Sequence, residues 1–330
     1  MSYVLLAVSL AMLVIGANWL VDGSAAIARR YHLSEYLIGA TIVGMGTSMP
    51  ELVVSSISAI GGHGDIAIGN VVGSNIFNVF LILGITALMM PIKYTRENIR
   101  RDIPLNVGIS IIVLIMCALG IVWRGEYGLG RIDGLLLLVI FAIYLWSTMK
   151  SEKKQQAARE SGNPLPDSDQ VASVDTSRYK SMTVCALAII FGLAGLIFGG
   201  NIFVESASDI AREWGVSEAI IGLTIVAGGT SLPELVSSII AVTKNKGQMA
   251  LGNIVGSNIF NLLLILGVSS SIQPLTMGDI TFADWGVMVF SAIALMIAAV
   301  TFKRNQLDRA DAFIFLLAYV AYMAWLTMMQ

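Results

Sequence analysis

Two acidic residues, Glu51 and Glu234, stand in segments otherwise built from apolar, glycine and hydroxyl residues. Each closes a near-identical phrase, Gly46-Thr47-Ser48-Met49-Pro50-Glu51 and Gly229-Thr230-Ser231-Leu232-Pro233-Glu234. A carboxylate at membrane depth is costly and by default marks an ion or substrate path. Neither segment contains a lysine or arginine to neutralise it. Pro50 lacks an N–H and its ring crowds the carbonyl four residues back, that of Gly46; Pro233 does the same to Gly229. With Gly44 and Gly228 close by, each helix is expected to break here. The freed carbonyl oxygens are tolerated at this depth only where they are buried or line a cavity. The donors around the break are all oxygens: Thr47, Ser48 and Glu51, then Thr230, Ser231 and Glu234. Hard cations such as Ca²⁺ take about 6–8 oxygen ligands, whereas transition metals recruit His or Cys. Two carboxylates balance one Ca²⁺ or two monovalent ions, so calcium or sodium is the expected cargo.

A second phrase follows each of these, GNVVGSNIFN from Gly69 to Asn78 and GNIVGSNIFN from Gly252 to Asn261. Ser74 and Asn78 are four apart and share a helix face, as do Ser257 and Asn261. Asn75 and Asn258 point about 100° away from the serines and rank second. Gly69 with Gly73, and Gly252 with Gly256, form spacings that allow close helix approach. Taken singly, a membrane Ser or Thr most often bonds a carbonyl one turn back; the pairing with a carboxylate is what sets these apart. Asn18 and Asn201, with Asp22 and Glu205, make a further repeat-matched set. These two acids are expected at segment ends, in contact with water.

The elements that must position these groups are long apolar helices. The 330-residue chain is 56% hydrophobic and only 13% charged, about half the ~25% charge usual in soluble domains. Ten apolar segments are expected, roughly 3–28, 36–60, 66–90, 103–122, 132–149, 181–210, 219–243, 249–272, 283–301 and 309–328. Runs of this length fit an all-α polytopic membrane protein. From Gly16/Gly199 to Gly84/Gly267 the two halves align without a gap, and 37 of 69 positions are identical. The chain is therefore a duplication: a first five-helix repeat over 1–149, a polar connector over 150–180 and a second five-helix repeat over 181–330. The connector, rich in Ser, Gln, Pro and charge, is expected to be a flexible linker.

With ten spans, the odd-numbered loops share one face, which collects 17 of the 20 Lys and Arg; the other face collects 3. Positive residues stay on the cytoplasmic side, so both termini are expected outside. Five spans per copy force the second repeat to enter upside down, and inverted repeats enclosing a mid-membrane site are a recurring plan of secondary transporters. Cys117 and Cys185 lie in apolar runs, and His32 and His63 at segment ends; neither pair suggests a disulfide framework or a zinc site. Tyr3 to Ala28 lacks a basic leader and reads as a first retained helix.

At these motifs the chain resembles the cation/calcium antiporter superfamily, in particular prokaryotic sodium/calcium exchangers. Their two repeats carry G-T-S-x-P-E followed by G-x-x-x-G-S-N-x-x-N, both nearly intact here. The resemblance implies a ten-helix, inverted 5+5 fold with helices 2, 3, 7 and 8 around the ions and long helices 1 and 6 sliding across them. It implies alternating-access exchange of Ca²⁺ against Na⁺ or H⁺, with these ions as substrates and no cofactor. Carried over by position, the ion ligands fall on Thr47, Ser48, Glu51, Thr230, Ser231 and Glu234, with hydroxyls from Ser74 and Ser257, the amide of Asn78, and the carbonyls of Gly44 and Ala227. One departure is Asn261, where well-known exchangers have Asp; the amide leaves the centre at a charge of −2 and bears on the coupling ion. A large calcium-sensing insert is absent.

The primary expectation is a calcium-exporting antiporter, not an enzyme, in a bacterial inner membrane, with the lipid bilayer and the ions as partners and no nucleic acid. A proton- or potassium-coupled exchanger is the alternative within the class. A passive cation channel explains the antiparallel duplication less economically. An intramembrane metal hydrolase would need His near its acid, and no central segment has one.

Overall fold

The computed structural model describes residues 1–160, 181–215, 227–303 and 305–329. Its helices are α1 (Ser2–Arg30), α2 (Glu35–Thr47), α3 (Met49–Ile60), α4 (Gly64–Met89), α5 (Asn98–Arg124), α6 (Arg131–Glu160) and α7 (Met182–Glu213). Then come α8 (Ala227–Gly229), α9 (Leu232–Thr243), α10 (Gly247–Ile272), α11 (Phe282–Ala298) and α12 (Arg309–Met329). Among the described residues, seven helices are long and apolar enough to cross a membrane. The bent pair α2/α3 makes an eighth, and α9 and α11 are apolar but shorter. The protein is thus a mostly helical, polytopic membrane protein.

Sequence chemistry sets the helix ends. Ser34 caps α2 by accepting a hydrogen bond from the Leu37 amide, and Thr281 with Asp284 forms a reciprocal capping box at α11, each satisfying N–H groups that a helix start leaves orphaned. Gly125, at φ +77, ends α5 in the left-handed conformation that costs a side chain most.

Two packing features position the site. First, α1 and α7 cross in backbone contact: a Cβ on Gly16 would meet the Gly192 carbonyl oxygen at 2.8 Å, and one on Gly192 would meet that of Gly16 at 2.8 Å. Second, α10 lies against α2, where a Cβ on Gly256 would run into the backbone of Ala40 and one on Gly252 into that of Tyr36. The small-residue spacing read from the sequence thus serves close approach in the second repeat. α10 is buried along nearly its whole length, so it is the central post around which the others stand.

The loops pair in a fixed pattern. Strand β1 (Ile92–Lys93) pairs antiparallel with β4 (Gln306–Leu307), and β2 (Gly128–Leu129) with β3 (Leu275–Thr276). Each two-residue ribbon ties a loop of the first repeat to a loop of the second.

Helix boundaries follow the expected segments closely, but α5 starts at Asn98 rather than 103 and α7 runs to Glu213 rather than 210. α6 continues eleven residues past the expected end at 149, through Glu160, because Glu152 is anchored on Ser34 across the bundle. α11 ends at Ala298 rather than 301. Residues 161–180 of the expected connector and 219–226 of the expected seventh segment lie outside the described residues.

Candidate cation site

The break expected at the proline falls at Ser48, whose φ of −83° and ψ of 9° interrupt the helix. Helices α2 and α3 meet there at a bend of 45°. Ser231 adopts nearly the same conformation, φ −89° and ψ 7°, ahead of α9. Each proline occupies the first turn of the new helix, where its missing N–H costs nothing. The Gly44 carbonyl, implied by the resemblance as an ion ligand, accepts from the Ser48 amide at 3.1 Å and from Ser257 Oγ of the other repeat at 3.2 Å, and lies 3.4 Å from Thr47 Oγ1. Its repeat mate Ala227 opens the three-residue helix α8.

These breaks bring the two halves together. Ser48 Oγ donates to Glu234 Oε1 at 2.7 Å, and Ser231 Oγ lies 3.1 Å from Glu51 Oε1. Each carboxylate is therefore held by the serine of the opposite repeat, and each glutamate is 1% exposed. Ser231 also contacts Ser74 Oγ at 3.3 Å, joining α4 to α9. Thr47 and Ser48 both reach across the repeat boundary, Thr47 Oγ1 lying 3.4 Å from Asn253 Oδ1 and Ser48 Oγ bonding Glu234.

One turn beyond Ser74 and Ser257, the amides form a second layer. Asn78 Nδ2 donates to Asn258 Oδ1 at 3.0 Å, and Asn261 Nδ2 to Asn75 Oδ1 at 3.2 Å. Asn78 lies in a π-helical stretch, Phe77–Leu83, and Asn261 opens another, Asn261–Ile265. Such wide turns occur frequently at functional sites. Asn75 and Asn258, ranked second from helical geometry, belong to the same layer as Asn78 and Asn261.

Four acceptors in this cluster have no hydrogen-bond partner: Glu51 Oε2, Glu234 Oε2, Asn78 Oδ1 and Asn261 Oδ1. Buried acceptors are ordinarily satisfied, and each orphan asks for an explanation. Among the described residues no group of three or more His, Cys, Asp or Glu could hold a metal. A cation here would therefore rest on two carboxylates supplemented by neutral hydroxyl, amide and carbonyl oxygens, a donor set suited to hard ions.

Two residues that the sequence reading passed over sit behind the carboxylates. Asn70 Nδ2 donates to the Glu51 main-chain oxygen at 3.2 Å and to Ser55 Oγ at 2.9 Å. Asn253 Nδ2 lies 3.4 Å from the Glu234 main-chain oxygen, 3.0 Å from Ser237 Oγ and 2.9 Å from Ser238 Oγ. Their identity in both repeats was the available signal. Farther off, Asp22 is half-buried and paired with Lys244 at 2.7 Å, not simply in water, whereas Glu205 is exposed.

The fold and site together describe a membrane carrier with an oxygen-lined centre between duplicated halves. A family model described as "Sodium/calcium exchanger protein" matches residues 1–150 and 184–328, and the chain belongs to that family, within the cation/calcium antiporter superfamily. A relative named as an antiporter, CaxA of Alkalimonas amylolytica, is 36% identical over 320 residues, covering 96% of this chain and 95% of its own. The inner membrane protein YrbG of Escherichia coli is 32% identical over 302 residues, covering 91% and 89%. Solved structures of the sodium-calcium exchanger NCX_Mj superpose with a TM-score of 0.79 at 31% identity, covering 98% of this chain and 97% of the other. The protein is an integral membrane exchanger of calcium-antiporter type.

Proposed function

We propose that this antiporter exchanges Ca²⁺ for Na⁺ by alternating access, with the ions held between Glu51 and Glu234. The carrying observation is the set of four unpartnered acceptors on and beside two carboxylates that are themselves bridged across the repeats. In this reading Thr47, Ser48, Ser74, Asn78 and the Gly44 carbonyl line the site from the first repeat. Thr230, Ser231, Ser257, Asn261 and the Ala227 carbonyl line it from the second. A site of charge −2 stripped of water favours an occupying cation, and only states that differ in ion affinity are shifted by the ion.

The same proposal places ten helices as two inverted five-helix repeats, 1–149 and 181–330, joined by a cytoplasmic connector at 150–180. Both termini face outward across a bacterial inner membrane. The loop pairing supports this: β1 and β4 join the third and ninth of the expected loops, and β2 and β3 join the fourth and eighth. Odd loops thus meet odd and even meet even, as two faces of one membrane require. The charge tally of 17 against 3 supports this orientation.

A second reading, coupling to protons or potassium, is favoured by one observation: position 261 is an amide that donates to Asn75 rather than an acid. The test is ⁴⁵Ca²⁺ uptake into proteoliposomes under an imposed Na⁺ gradient, a pH gradient or a K⁺ gradient. Sodium-driven uptake is expected; uptake that follows only pH or K⁺ replaces sodium with that ion. Uptake with no counter-ion requirement would make the protein a passive pathway instead. Asn261→Asp is expected to change the ratio of sodium-driven to pH-driven uptake at least about threefold, since it adds a third ionisable group to a water-poor site.

A further inference from the structure

The two asparagines behind the carboxylates are chemically identical in sequence but not in use. Asn253 spans the repeat boundary: its Nδ2 holds α9 through the Glu234 carbonyl, Ser237 and Ser238, while its Oδ1 accepts from Thr47 Oγ1 of the first repeat at 3.4 Å. Asn70 holds its own ligand helix in the same way, through the Glu51 carbonyl and Ser55. The matching cross-repeat bond, from Thr230 to Asn70, is not made. Thr230 lies beside the Glu51 carboxylate, as Thr47 lies beside that of Glu234. Thr47 and Asn253 are fully buried, whereas Thr230 and Asn70 are half-buried.

We propose that Asn70 and Asn253 are positioning residues for the two glutamates, and that the Thr47–Asn253 and Thr230–Asn70 bonds close in alternation as the transporter changes the face to which its site opens. The inference rests on the inverted-repeat antiport reading above. Residues related by the duplication exchange environments when the carrier turns over, so a bond made in one repeat and absent in the other marks one state. Each asparagine fixes the carbonyl of the residue that carries the carboxylate. Its loss frees the helix start at Ser48–Glu51 or Ser231–Glu234 to rotate the acid out of register. Neither asparagine offers the cation an oxygen on this account; both act through Glu51 and Glu234. The second repeat has an extra acceptor, Ser237, where the first has Val54, so the Asn253 side is the more firmly held.

The test uses the full-length protein in proteoliposomes of known orientation, with the half-saturating Ca²⁺ concentration measured separately at each membrane face. Loss of one neutral hydrogen bond is worth a shift of about three- to tenfold in a two-state equilibrium. Asn253→Ala is expected to change the ratio of the two half-saturation values by that factor in one direction, and Asn70→Ala in the other. Thr47→Val and Thr230→Val provide a second opposed pair should an asparagine variant fail to fold. Combining Asn253→Ala with Thr47→Val is expected to shift the ratio no further than either change alone. Shifts in the same direction, or unchanged ratios in variants that retain flux, overturn the alternation. Unchanged half-saturation and maximal rate at both faces overturn the positioning role as well. If the unsubstituted protein shows no counter-ion-dependent Ca²⁺ flux, the antiport reading itself fails, independently of the variants.

Discussion

The two glutamates at the centre of the bundle and three carboxylates at its rim are about equally hidden from water, yet their oxygens are used differently. At the rim, Glu152 receives the Ser34 amide on one oxygen at 2.7 Å and the Ser34 hydroxyl on the other at 2.9 Å. Asp102 is paired with Arg101 at 2.8 Å and accepts from Asn98 at 3.3 Å. Asp284 takes the Thr281 amide and hydroxyl on one oxygen and the Tyr322 hydroxyl on the other. Glu51 and Glu234 each receive a serine on one oxygen and nothing on the second. A buried carboxylate with both oxygens answered holds elements together. One with an oxygen left over, facing another of its kind, is poorly placed for stability and well placed to receive a cation.

The largest effect expected from this contrast is at the centre. Glu51→Gln and Glu234→Gln each remove half the site's charge while keeping its shape. Exchange-dependent ⁴⁵Ca²⁺ uptake should fall at least about 100-fold, the consequence of losing roughly 3 kcal/mol of ion binding. The melting temperature of the purified protein should hold or rise, because two like charges no longer share a water-poor space. Uptake near the unsubstituted rate in either variant would remove the carboxylates from the mechanism and erase the contrast. At the rim the pattern should invert. Glu152→Ala leaves a buried backbone N–H at the start of α2 without a partner, a loss of about 1–3 kcal/mol. Thermal unfolding should report it, while Ca²⁺ uptake per folded transporter stays within about threefold. A variant that unfolds no earlier but transports poorly would make Glu152 part of the transport cycle instead.

How much of this contrast was legible in the sequence depends on the range of the interaction. The break at Ser48, the small-residue contacts of α10 and the helix ends are local consequences of proline, glycine and capping residues, and they follow from the string alone. That Ser48 would serve Glu234 rather than Glu51 is not local. It follows only once the halves interleave. The amide layer was half legible: Ser74, Asn75, Ser257 and Asn258 lie in regular α-helix, but the π-helical turns that begin at Phe77 and Asn261 change the angular spacing from Ser74 to Asn78 and from Ser257 to Asn261. Asn70 and Asn253 were visible as repeated letters, but a side chain that bonds main-chain oxygen leaves no sign in its neighbours' residue types. The length of α6 was missed because a polar composition past residue 149 looks like linker until Glu152 has Ser34 to hold.

Lys246 sharpens the comparison from the other side, as a buried cation with capacity to spare. It is 1% exposed, in the short turn between α9 and α10, and its ammonium has no hydrogen-bond partner. Burial pulls its pKa down to about 8, and the nearby Asp22 and Glu35 offset only part of that pull. Because the folded state releases the proton near pH 8 and the unfolded chain near 10.5, the unfolded state binds more protons between those values. Stability therefore rises with pH across that window and carries the full burden of the buried charge below it. Lys246→Met should raise the melting temperature at pH 7 and remove the rise relative to the unsubstituted protein between about pH 8 and 10.5. Here, unlike at Glu51 and Glu234, the unanswered group is expected to cost stability without contributing to flux. Ca²⁺ uptake in Lys246→Met should stay within about twofold, the smallest effect in the series, as a shift below about 0.5 kcal/mol implies. A loss of uptake comparable to that of the glutamate variants would show that an unpartnered charge at the rim acts in transport as one at the centre does.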